Sequence, residues 1–266
     1  MTAACAATLI AAGCGSGGTR PGSGQAAPER RPADPATCSV RHGTVVENHL
    51  MSQVLGQQRF RVYLPPGYRA TAAQRYPVLY LFHGSSADET QWEDVGIGQG
   101  SDCLLAAHRM HPALIVLLDA STAERHGAAG ASEVERFMAD SVVPAVDRRF
   151  RTLADRRHRA IGGISLGGGW ALRIAADRPD RFSAVGGHSP STGLTLSQRA
   201  SLARRQVRIW LDVGLNDRLR LRVGAFQQAL RQRGADVTLH VWPGIHDRRY
   251  WSHHVQDYLR FYAARW

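Results

Sequence analysis

The sequence contains no lysine. Its 33 basic residues are therefore all arginine, and with 22 acidic residues they give a net charge of +11. Such a charge can attract nucleic acid or an anionic envelope surface. It can equally follow from the arginine codons of a GC-rich genome, which we favour because the arginines are scattered and accompany no nucleic-acid-binding signature. We therefore expect no nucleic-acid partner.

The sequence also lacks a long apolar run and a metal-binding spacing of cysteines and histidines. The apolar run near the N-terminus is too short for a transmembrane helix, and no Cys-x-x-Cys or Cys/His spacing indicates a metal site. Of the four cysteines, Cys5 lies in this apolar run and Cys14 ends it. The other two are Cys38 and Cys103. They either form a disulfide in an oxidising compartment or are two separate thiols, and the sequence leaves both alternatives open.

The first 38 residues differ in composition from the rest. Residues 1–14 are mostly small and apolar, and the segment that ends at Cys14 resembles a bacterial lipobox, in which this cysteine carries lipid. Ala11 stands where that pattern usually has leucine, and no basic residue precedes the run, so a cleaved secretory signal and no export are the alternatives. Residues 15–38 predict a flexible tether. We expect an exported protein, either an envelope lipoprotein or secreted, that meets the membrane only through such an anchor.

Residues 39–266 alternate between short apolar runs and amphipathic stretches. This alternation predicts one α/β domain, a mostly parallel sheet with helices on both faces and no large lid. Pro144 should kink or break the helix that contains it. Strands are expected at 44–51, 59–64, 77–82, 113–118, 158–164, 183–187, 207–213 and 237–242, and helices at 132–147, 166–176, 219–233 and 248–266.

A nucleophile motif stands at the centre of this domain. Residues 163–167 read GISLG, a G-x-S-x-G pattern that is weak by itself. Here a predicted strand enters it and a predicted helix leaves it, which is the strand–turn–helix setting of a nucleophile elbow. Ser165 would then project at the carboxyl edge of the sheet, beside a helix N-terminus that favours a developing oxyanion.

A serine hydroxyl needs a base, and His246 is the strongest candidate. It follows the last predicted strand, in a loop at the carboxyl edge of the sheet. His240 falls inside that strand and is expected to serve packing. His253 and His254 fall within the last helix and are expected at its surface or cap.

The orienting acid should follow the preceding strand, because the order nucleophile, acid, histidine is typical of this arrangement. Asp217 occupies that loop, whereas its rival Asp212 lies inside the strand. The oxyanion would be bound by two backbone amides, those of Leu166 and Ser85. His83 is expected to support the loop that carries Ser85.

Four segments together resemble a known family: LYLFHGS at 79–85, GGISLGG at 162–168, LDVGLND at 211–217 and GIHDRRYW at 244–251. They are similar to the α/β-hydrolase esterases that include feruloyl esterases, S-formylglutathione hydrolases, siderophore esterases and the antigen 85 mycolyltransferases.

By this resemblance, the nucleophile, acid, base and oxyanion donors named above match the positions of the family. Trp92 and Trp251 match aromatic positions near the site and are expected to bind substrate. Asp119 and His188 end strands at the same edge, where they either line the pocket or make loop hydrogen bonds.

The sequence thus predicts a serine carboxylic-ester hydrolase that works through an acyl-enzyme on a small-molecule or envelope ester. No metal or cofactor is required. One alternative is an envelope acyltransferase of the mycolyltransferase type, which would share the acyl-enzyme and differ in the acceptor. The other is a non-catalytic module on the same fold, against which the complete set of nucleophile, base and acid argues.

Overall fold

The computed structural model describes Cys38 and residues 40–266. The export segment expected over residues 1–14, with Cys14, lies outside the described residues, and so does the tether apart from its last residue. Within the described part of the chain, no helix is both long and apolar enough to cross a membrane.

A single eight-stranded sheet organises residues 40–266. Its strands lie in the order β1-β2-β4-β3-β5-β6-β7-β8. Their bounds agree with the predicted runs to within a few residues: β1 Thr44–Ser52, β2 Gly56–Leu64, β3 Val78–Phe82, β4 Leu114–Leu118, β5 Arg159–Ile164, β6 Ala184–His188, β7 Arg208–Gly214 and β8 Val237–Trp242.

Helices connect the strands and cover both faces of the sheet. Five of them overlap the four predicted helical segments, because the segment 132–147 contains two. The helices on either side of Gly96, the helix that starts directly after residue 120 and the helix before β7 were not predicted. The bounds are α1 Gln91–Asp94, α2 Ile97–Ala106, α3 Ser121–Arg125, α4 Gly127–Phe137, α5 Val143–Arg149, α6 Leu166–Asp177, α7 Leu196–Arg204, α8 Arg220–Arg231 and α9 Arg248–Ala263.

The strand directions determine where functional loops can meet. The β1–β2 hairpin is antiparallel, and β2 pairs antiparallel with β4. From β4 to β8 all neighbours are parallel, so the carboxyl ends of these strands share one edge. This mostly parallel sheet with helices on both faces is the α/β-hydrolase type of fold, which confirms the predicted fold class.

The sheet separates two hydrophobic layers. Along β3, Val78, Tyr80 and Phe82 belong to one buried cluster, whereas Leu79 and Leu81 belong to the other. Successive side chains of a strand point to opposite faces. A strand that is apolar at every position therefore has to be covered on both sides, which is why the continuous run at 78–82 predicted a central strand.

The helix predicted over 132–147 is longer at both ends and is interrupted in its middle. It begins as α4, passes through a π-helical turn at Met138–Val142, and continues as α5 with Pro144 in its first turn. Proline has no N–H to donate and its ring crowds the preceding turn, so a regular α-helical ladder cannot run through it. The π turn accommodates this break, as the predicted kink required.

The start of the described chain is attached to α2. Cys38 and Cys103 form a disulfide, with their Cα atoms 5.8 Å apart. The neighbouring Asp102 is 3% exposed and accepts hydrogen bonds from the Gly43 amide (3.1 Å) and the Tyr63 hydroxyl (2.5 Å). Of the two alternatives for these cysteines, the structure has the disulfide.

Candidate active site

The turn between β5 and α6 holds Ser165 in a backbone conformation that is rare for a residue with a side chain. Its φ is 54° and its ψ is −113°. Such angles cost of order 1–3 kcal/mol and persist only when neighbouring contacts enforce them. The Ser165 amide donates to the His188 carbonyl, and the Ser165 carbonyl accepts from the Ser191 amide, each at 2.9 Å. The end of β6 and the loop after it therefore hold the serine in place.

Glycine is required on both sides of this turn because the backbone passes too close for a side chain. A Cβ on Gly163 would collide with the backbone of Gly167. A Cβ on Gly167 would collide with the His83 carbonyl and lie 2.7 Å from Cβ of Phe82. The two glycines of the G-x-S-x-G pattern thus have a direct steric basis in this turn.

The structure brings together the three side chains that the sequence nominated as nucleophile, base and acid. His246 Nε2 lies 3.0 Å from Ser165 Oγ, and His246 Nδ1 lies 2.8 Å from Asp217 Oδ2. The Asp217 side chain is fully buried, whereas that of His246 is 16% exposed. With Nδ1–H donated to the carboxylate, Nε2 carries the lone pair that can accept the serine proton.

Two loops at the carboxyl edge position the acid and the base relative to each other. The Leu215 amide donates to the Trp242 carbonyl (2.7 Å), and the Asn216 amide donates to the Gly244 carbonyl (3.0 Å). Gly244 has a φ of 146°, and a Cβ there would lie 2.6 Å from the ring of Tyr250. The loop after β7 is thereby joined to the loop after β8.

The second carboxylate oxygen of Asp217 is also satisfied. Its Oδ1 accepts a hydrogen bond from the Leu219 amide at 2.8 Å. Beside the base, the Trp251 ring meets the His246 imidazole edge to face, with 5.1 Å between ring centres. The imidazole is therefore fixed by a carboxylate on one side and by an aromatic ring on another.

The two tryptophans expected to bind substrate are both buried. Trp251 is 5% exposed and packs on His246 rather than facing solvent. Trp92 is 1% exposed, and its Nε1–H donates to the Phe82 carbonyl at 2.9 Å. A direct contact between Trp92 and substrate does not fit this burial. Its indole instead supports the carboxyl end of β3, next to the loop that carries Ser85.

The two amides expected to bind an oxyanion lie on adjoining segments. Leu166 is the first residue of α6, and Ser85 follows β3 in a loop that packs on the end of β5. A Cβ on Gly84 would lie 3.3 Å from Cγ2 of Ile164, which shows how closely the two segments approach. Within residues 40–266, neither the Ser85 nor the Leu166 amide donates to an acceptor of the chain.

A carboxylate that the sequence analysis missed holds this loop. Glu124, on α3, accepts hydrogen bonds from the Ser85 hydroxyl and from the Ser86 amide (3.0 Å). Burial raises the pKa of Glu124, but these donors outweigh burial and place the pKa below its ordinary value. No local sequence pattern could have identified this contact, because Glu124 and Ser85 lie 39 residues apart in the chain.

His83 has the supporting role that the sequence analysis expected. It is fully buried, with Nδ1 2.7 Å from the Gly84 carbonyl and Nε2 2.9 Å from the Ala120 amide. Its ring thus ties the loop after β3 to the loop after β4. Asp119, one of the two residues left open, accepts from the Ser121 amide at 2.9 Å and does make loop hydrogen bonds.

The rival acid Asp212 lies in a separate buried network. Its Oδ2 is 2.6 Å from His188 Nδ1 and 2.9 Å from Trp210 Nε1, and its Oδ1 accepts from the Tyr258 hydroxyl at 3.0 Å. His188 Nε2 in turn lies 3.0 Å from the Tyr262 hydroxyl. Both His188 and Asp212 are fully buried, so neither lines an open pocket.

Two of the other candidate histidines pack against tryptophans, whereas His253 is exposed, as expected. His240 stacks between Trp210 and Trp242, with ring centres 4.0 and 4.8 Å apart, and burial lowers its pKa. His254 stacks on Trp242 at 3.9 Å and is 6% exposed, which corrects the expectation of a surface or capping position. These contacts leave His246 as the histidine at hydrogen-bond distance from Ser165.

A cleft of about 240 Å³ opens beside the start of α6. The cleft contains the ring of Trp170 and the carboxylate of Glu124 next to the nucleophile turn. This lining is suited to an ester with an apolar portion. Its lining includes Glu124, Leu166, Trp170, Arg173, Ser191 and Gly193.

The sheet, the nucleophile turn and the Ser165–His246–Asp217 arrangement define an α/β-hydrolase. Residues 52–262 match the protein family described as "Putative esterase". This match covers well over half of the chain, and the chain belongs to that family.

Two curated relatives carry esterase names. The chain is 35% identical over 152 residues to an endo-1,4-beta-xylanase/feruloyl esterase of Xylanibacter ruminicola, covering 54% of this chain and 21% of the relative. It is 34% identical over 140 residues to an esterase of Mycobacterium tuberculosis, covering 50% of this chain and 29% of the relative. The matched segments thus span less than a third of these relatives.

Solved structures agree over most of the chain. A ferulic acid esterase superposes with a TM-score of 0.74 at 26% identity, covering 85% of this chain and 99% of that one. An S-formylglutathione hydrolase of Staphylococcus aureus superposes with a TM-score of 0.69 at 18% identity, covering 84% and 97%, and this likeness concerns the fold alone. The matched family, the two relatives and the ferulic acid esterase structure are all described as esterases.

Proposed function

We propose that this chain hydrolyses a carboxylic ester through an acyl-enzyme on Ser165. The observation that carries the proposal is the position of the His246 ring, between Ser165 Oγ at 3.0 Å and Asp217 Oδ2 at 2.8 Å. A serine hydroxyl is a weak nucleophile until a base takes its proton. The imidazole stands at hydrogen-bond distance for that transfer.

In the first step, Ser165 Oγ attacks the ester carbonyl carbon while its proton passes to His246 Nε2. The buried Asp217 carboxylate keeps Nδ1 protonated and stabilises the imidazolium that forms. The carbonyl oxygen becomes an oxyanion, for which the Ser85 and Leu166 amides are the donors in this proposal. Collapse of the intermediate returns the proton to the departing alcohol and leaves an ester on Ser165.

In the second step, water attacks that ester while His246 Nε2 accepts a water proton. The same amides bind the second oxyanion, and the proton returns to Ser165 Oγ as the acid leaves. Bonds and protons balance over the two steps, so the residues named are sufficient and no external cofactor enters. The esterase names of the relatives do not favour the acyltransferase alternative.

We further propose that the acyl group is a hydroxycinnamate of the ferulate type. Two observations support this choice: a relative and a structural neighbour, both above 25% identity, are named as ferulate esterases. The cleft beside Leu166 contains the ring of Trp170, against which an aromatic acyl group can pack.

Export, as an envelope lipoprotein or a secreted protein, is part of the same proposal. The Cys38–Cys103 disulfide supports it, because structural disulfides persist mainly in oxidising compartments. Lipid on Cys14 is tested by fractionating cells that produce the Cys14→Ala protein. Loss of the protein from the membrane fraction is expected, and unchanged partition with membranes would remove the lipoprotein.

The activity is tested by comparing wild type, Ser165→Ala and Ser132→Ala on methyl ferulate and on p-nitrophenyl acetate. Ser132 is exposed on α4 and serves as the matched control. Ser165→Ala should lower kcat/KM for both esters by a factor of roughly 10⁴ or more, and the control should not change it. Near wild-type turnover by Ser165→Ala would refute the nucleophile. If the wild type hydrolysed p-nitrophenyl acetate but not methyl ferulate, only the proposed hydroxycinnamate acyl group would be refuted.

A further inference from the structure

A second cleft, of about 810 Å³, lies at the amino-terminal edge of the sheet. Four of its lining residues lie at or just before the starts of strands: Arg157 is two residues before β5, Ser183 directly precedes β6, Arg208 begins β7 and Asp236 directly precedes β8. Ser165 follows the other end of β5, and six strand residues span about 20 Å. This cleft is therefore separate from the site proposed for ester hydrolysis.

Arg208 is a buried cation that no carboxylate of residues 40–266 contacts in a salt bridge. The residue is 8% exposed, and its guanidinium donates from Nη1 to the Phe261 carbonyl (3.1 Å) and lies 5.0 Å from the centre of the Phe261 ring. Its Nε and Nη2 have no hydrogen-bond partner in residues 40–266. A buried charge without a partner of opposite sign is costly, because the interior does not replace the lost hydration.

More positive charge surrounds the same cleft. Arg156, Arg157 and Arg265 also line it, and Asp236 is the acidic residue in its lining. Burial lowers the pKa of Arg208, and repulsion from Arg265 lowers it further, against the attraction of Asp236. Arg156 is already bound to the Pro179 (2.7 Å) and Arg205 (2.9 Å) carbonyls, whereas Arg157 and Arg265 are exposed. The cleft therefore holds more cations than its protein neighbours neutralise.

We propose that this cleft binds an oxyanion of the phosphate class, with Arg208, Arg157 and Arg265 as the cationic groups. A guanidinium presents several N–H groups in a plane and suits the oxygens of such an ion. A bound dianion would compensate the buried charge of Arg208 and the repulsion between it and Arg265. The proposal does not depend on the esterase activity.

The test measures binding of inorganic phosphate to the full chain by two methods, calorimetry and thermal unfolding. Sodium chloride at matched ionic strength serves as the reference in both. We expect phosphate to raise the unfolding temperature of the wild type, since a ligand that binds the folded state stabilises it. The double variant Arg157→Ser/Arg265→Ser should bind phosphate at least about tenfold more weakly.

A charge-matched control separates a defined site from general surface charge. Arg109→Ser/Arg222→Ser removes two exposed arginines that do not line this cleft. It should bind phosphate as the wild type does, and both double variants should keep ester turnover, which shows that they fold. Absence of a phosphate effect in the wild type, or an equal loss in both double variants, would overturn the proposal.

Vesicles identify where the phosphate group comes from. A Cys14→Ala background, which removes any lipid on that cysteine, is sedimented with phosphatidylcholine vesicles with or without phosphatidylglycerol. Binding to the anionic vesicles that Arg157→Ser/Arg265→Ser abolishes assigns the cleft to a lipid headgroup. Phosphate binding without vesicle binding assigns it to a soluble phosphate. Vesicle binding that both double variants weaken equally would contradict the cleft as the lipid site.

Discussion

His188 and Asp212 form a second histidine–aspartate pair behind the nucleophile turn, with 2.6 Å between Nδ1 and Oδ2. The pair resembles the His246–Asp217 contact in geometry, but both of its residues are fully buried. His188 Nε2 faces the Tyr262 hydroxyl rather than a serine. The backbone carbonyl of His188 accepts the Ser165 amide, so this second pair can act on the nucleophile only through the main chain.

Replacing each aspartate in turn by asparagine should show that one pair serves turnover and the other serves stability. Asp217→Asn should lower kcat by about 10⁴ with a small change in unfolding temperature, because the amide favours the wrong imidazole tautomer. Asp212→Asn should instead lower the free energy of unfolding by about 1–3 kcal/mol. Its amide N–H₂ would face donors such as Trp210 Nε1 in a buried site. Kinetics on p-nitrophenyl acetate and thermal unfolding measure the two effects.

The reverse outcome is equally clear. If Asp212→Asn abolished turnover with its stability intact, while Asp217→Asn stayed active, the acid role would pass to Asp212. Asp180→Asn, at a side chain that is 72% exposed, is the control for loss of one negative charge.

Glycine substitutions should test the steric account of the nucleophile turn. Gly167→Ala places a Cβ against the His83 carbonyl and Cβ of Phe82, so it should reduce turnover strongly and destabilise the fold. Gly224→Ala, in α8, meets nothing within 4 Å and should stabilise the protein by about 0.5–1 kcal/mol through helix propensity. Urea unfolding and ester turnover of both variants provide the comparison. A Gly167→Ala enzyme with normal kcat and stability would show that the turn has room to adjust.

The strands and the nucleophile turn could be predicted because their signals are local. The apolar run at 78–82 has no polar position, and GISLG follows one strand and opens one helix. The loops of Asp217 and His246 were then found from the chain order nucleophile, acid, histidine and from their positions directly after predicted strands. In a parallel sheet, chain order determines which loops share an edge, and the pairing registers agree with that order.

What the sequence did not predict depends on distant contacts. Helix α2 begins IGQGSD, with two glycines that weaken its helical signal, and it is held by packing against α9. Helix α7 has a Thr195–Gln198 capping box that the sequence displays and that could have identified its start. The burial of Trp92 could not be read from its position in a motif, because it depends on the carbonyl of Phe82.

Glu124 should make the stability of the loop at Ser85 depend on pH. The pKa of this carboxyl lies below its ordinary value of 4.5 in the folded protein. A carboxylate of that kind adds stability above the unfolded-state pKa, and the addition disappears as pH falls through the folded-state value. The difference in unfolding free energy between wild type and Glu124→Gln should therefore be largest above about pH 5.5 and shrink in more acidic solution.

Two measurements give this prediction a control. Glu47→Gln, at a carboxylate whose side chain is 82% exposed, is the control for loss of one negative charge at the surface. Glu124→Gln should also lower kcat more than it raises KM, because the Ser85 amide would be held less firmly for the transition state. If the difference in unfolding free energy between wild type and Glu124→Gln grew toward acid pH, the lowered pKa of Glu124 would be refuted.

The last prediction concerns the disulfide between Cys38 and Cys103. It closes a loop with a sequence separation of 65 residues, so its main effect should be to restrict the unfolded chain. The double variant Cys38→Ser/Cys103→Ser should lose about 2–4 kcal/mol of unfolding free energy while ester turnover per folded molecule stays unchanged. Reductant should lower the unfolding temperature of the wild type and leave that of the double variant as it was. Equal sensitivity of both proteins to reductant would mean that the stabilisation comes from elsewhere, with Asp102 and its bonds to Gly43 and Tyr63 as the next contact to test.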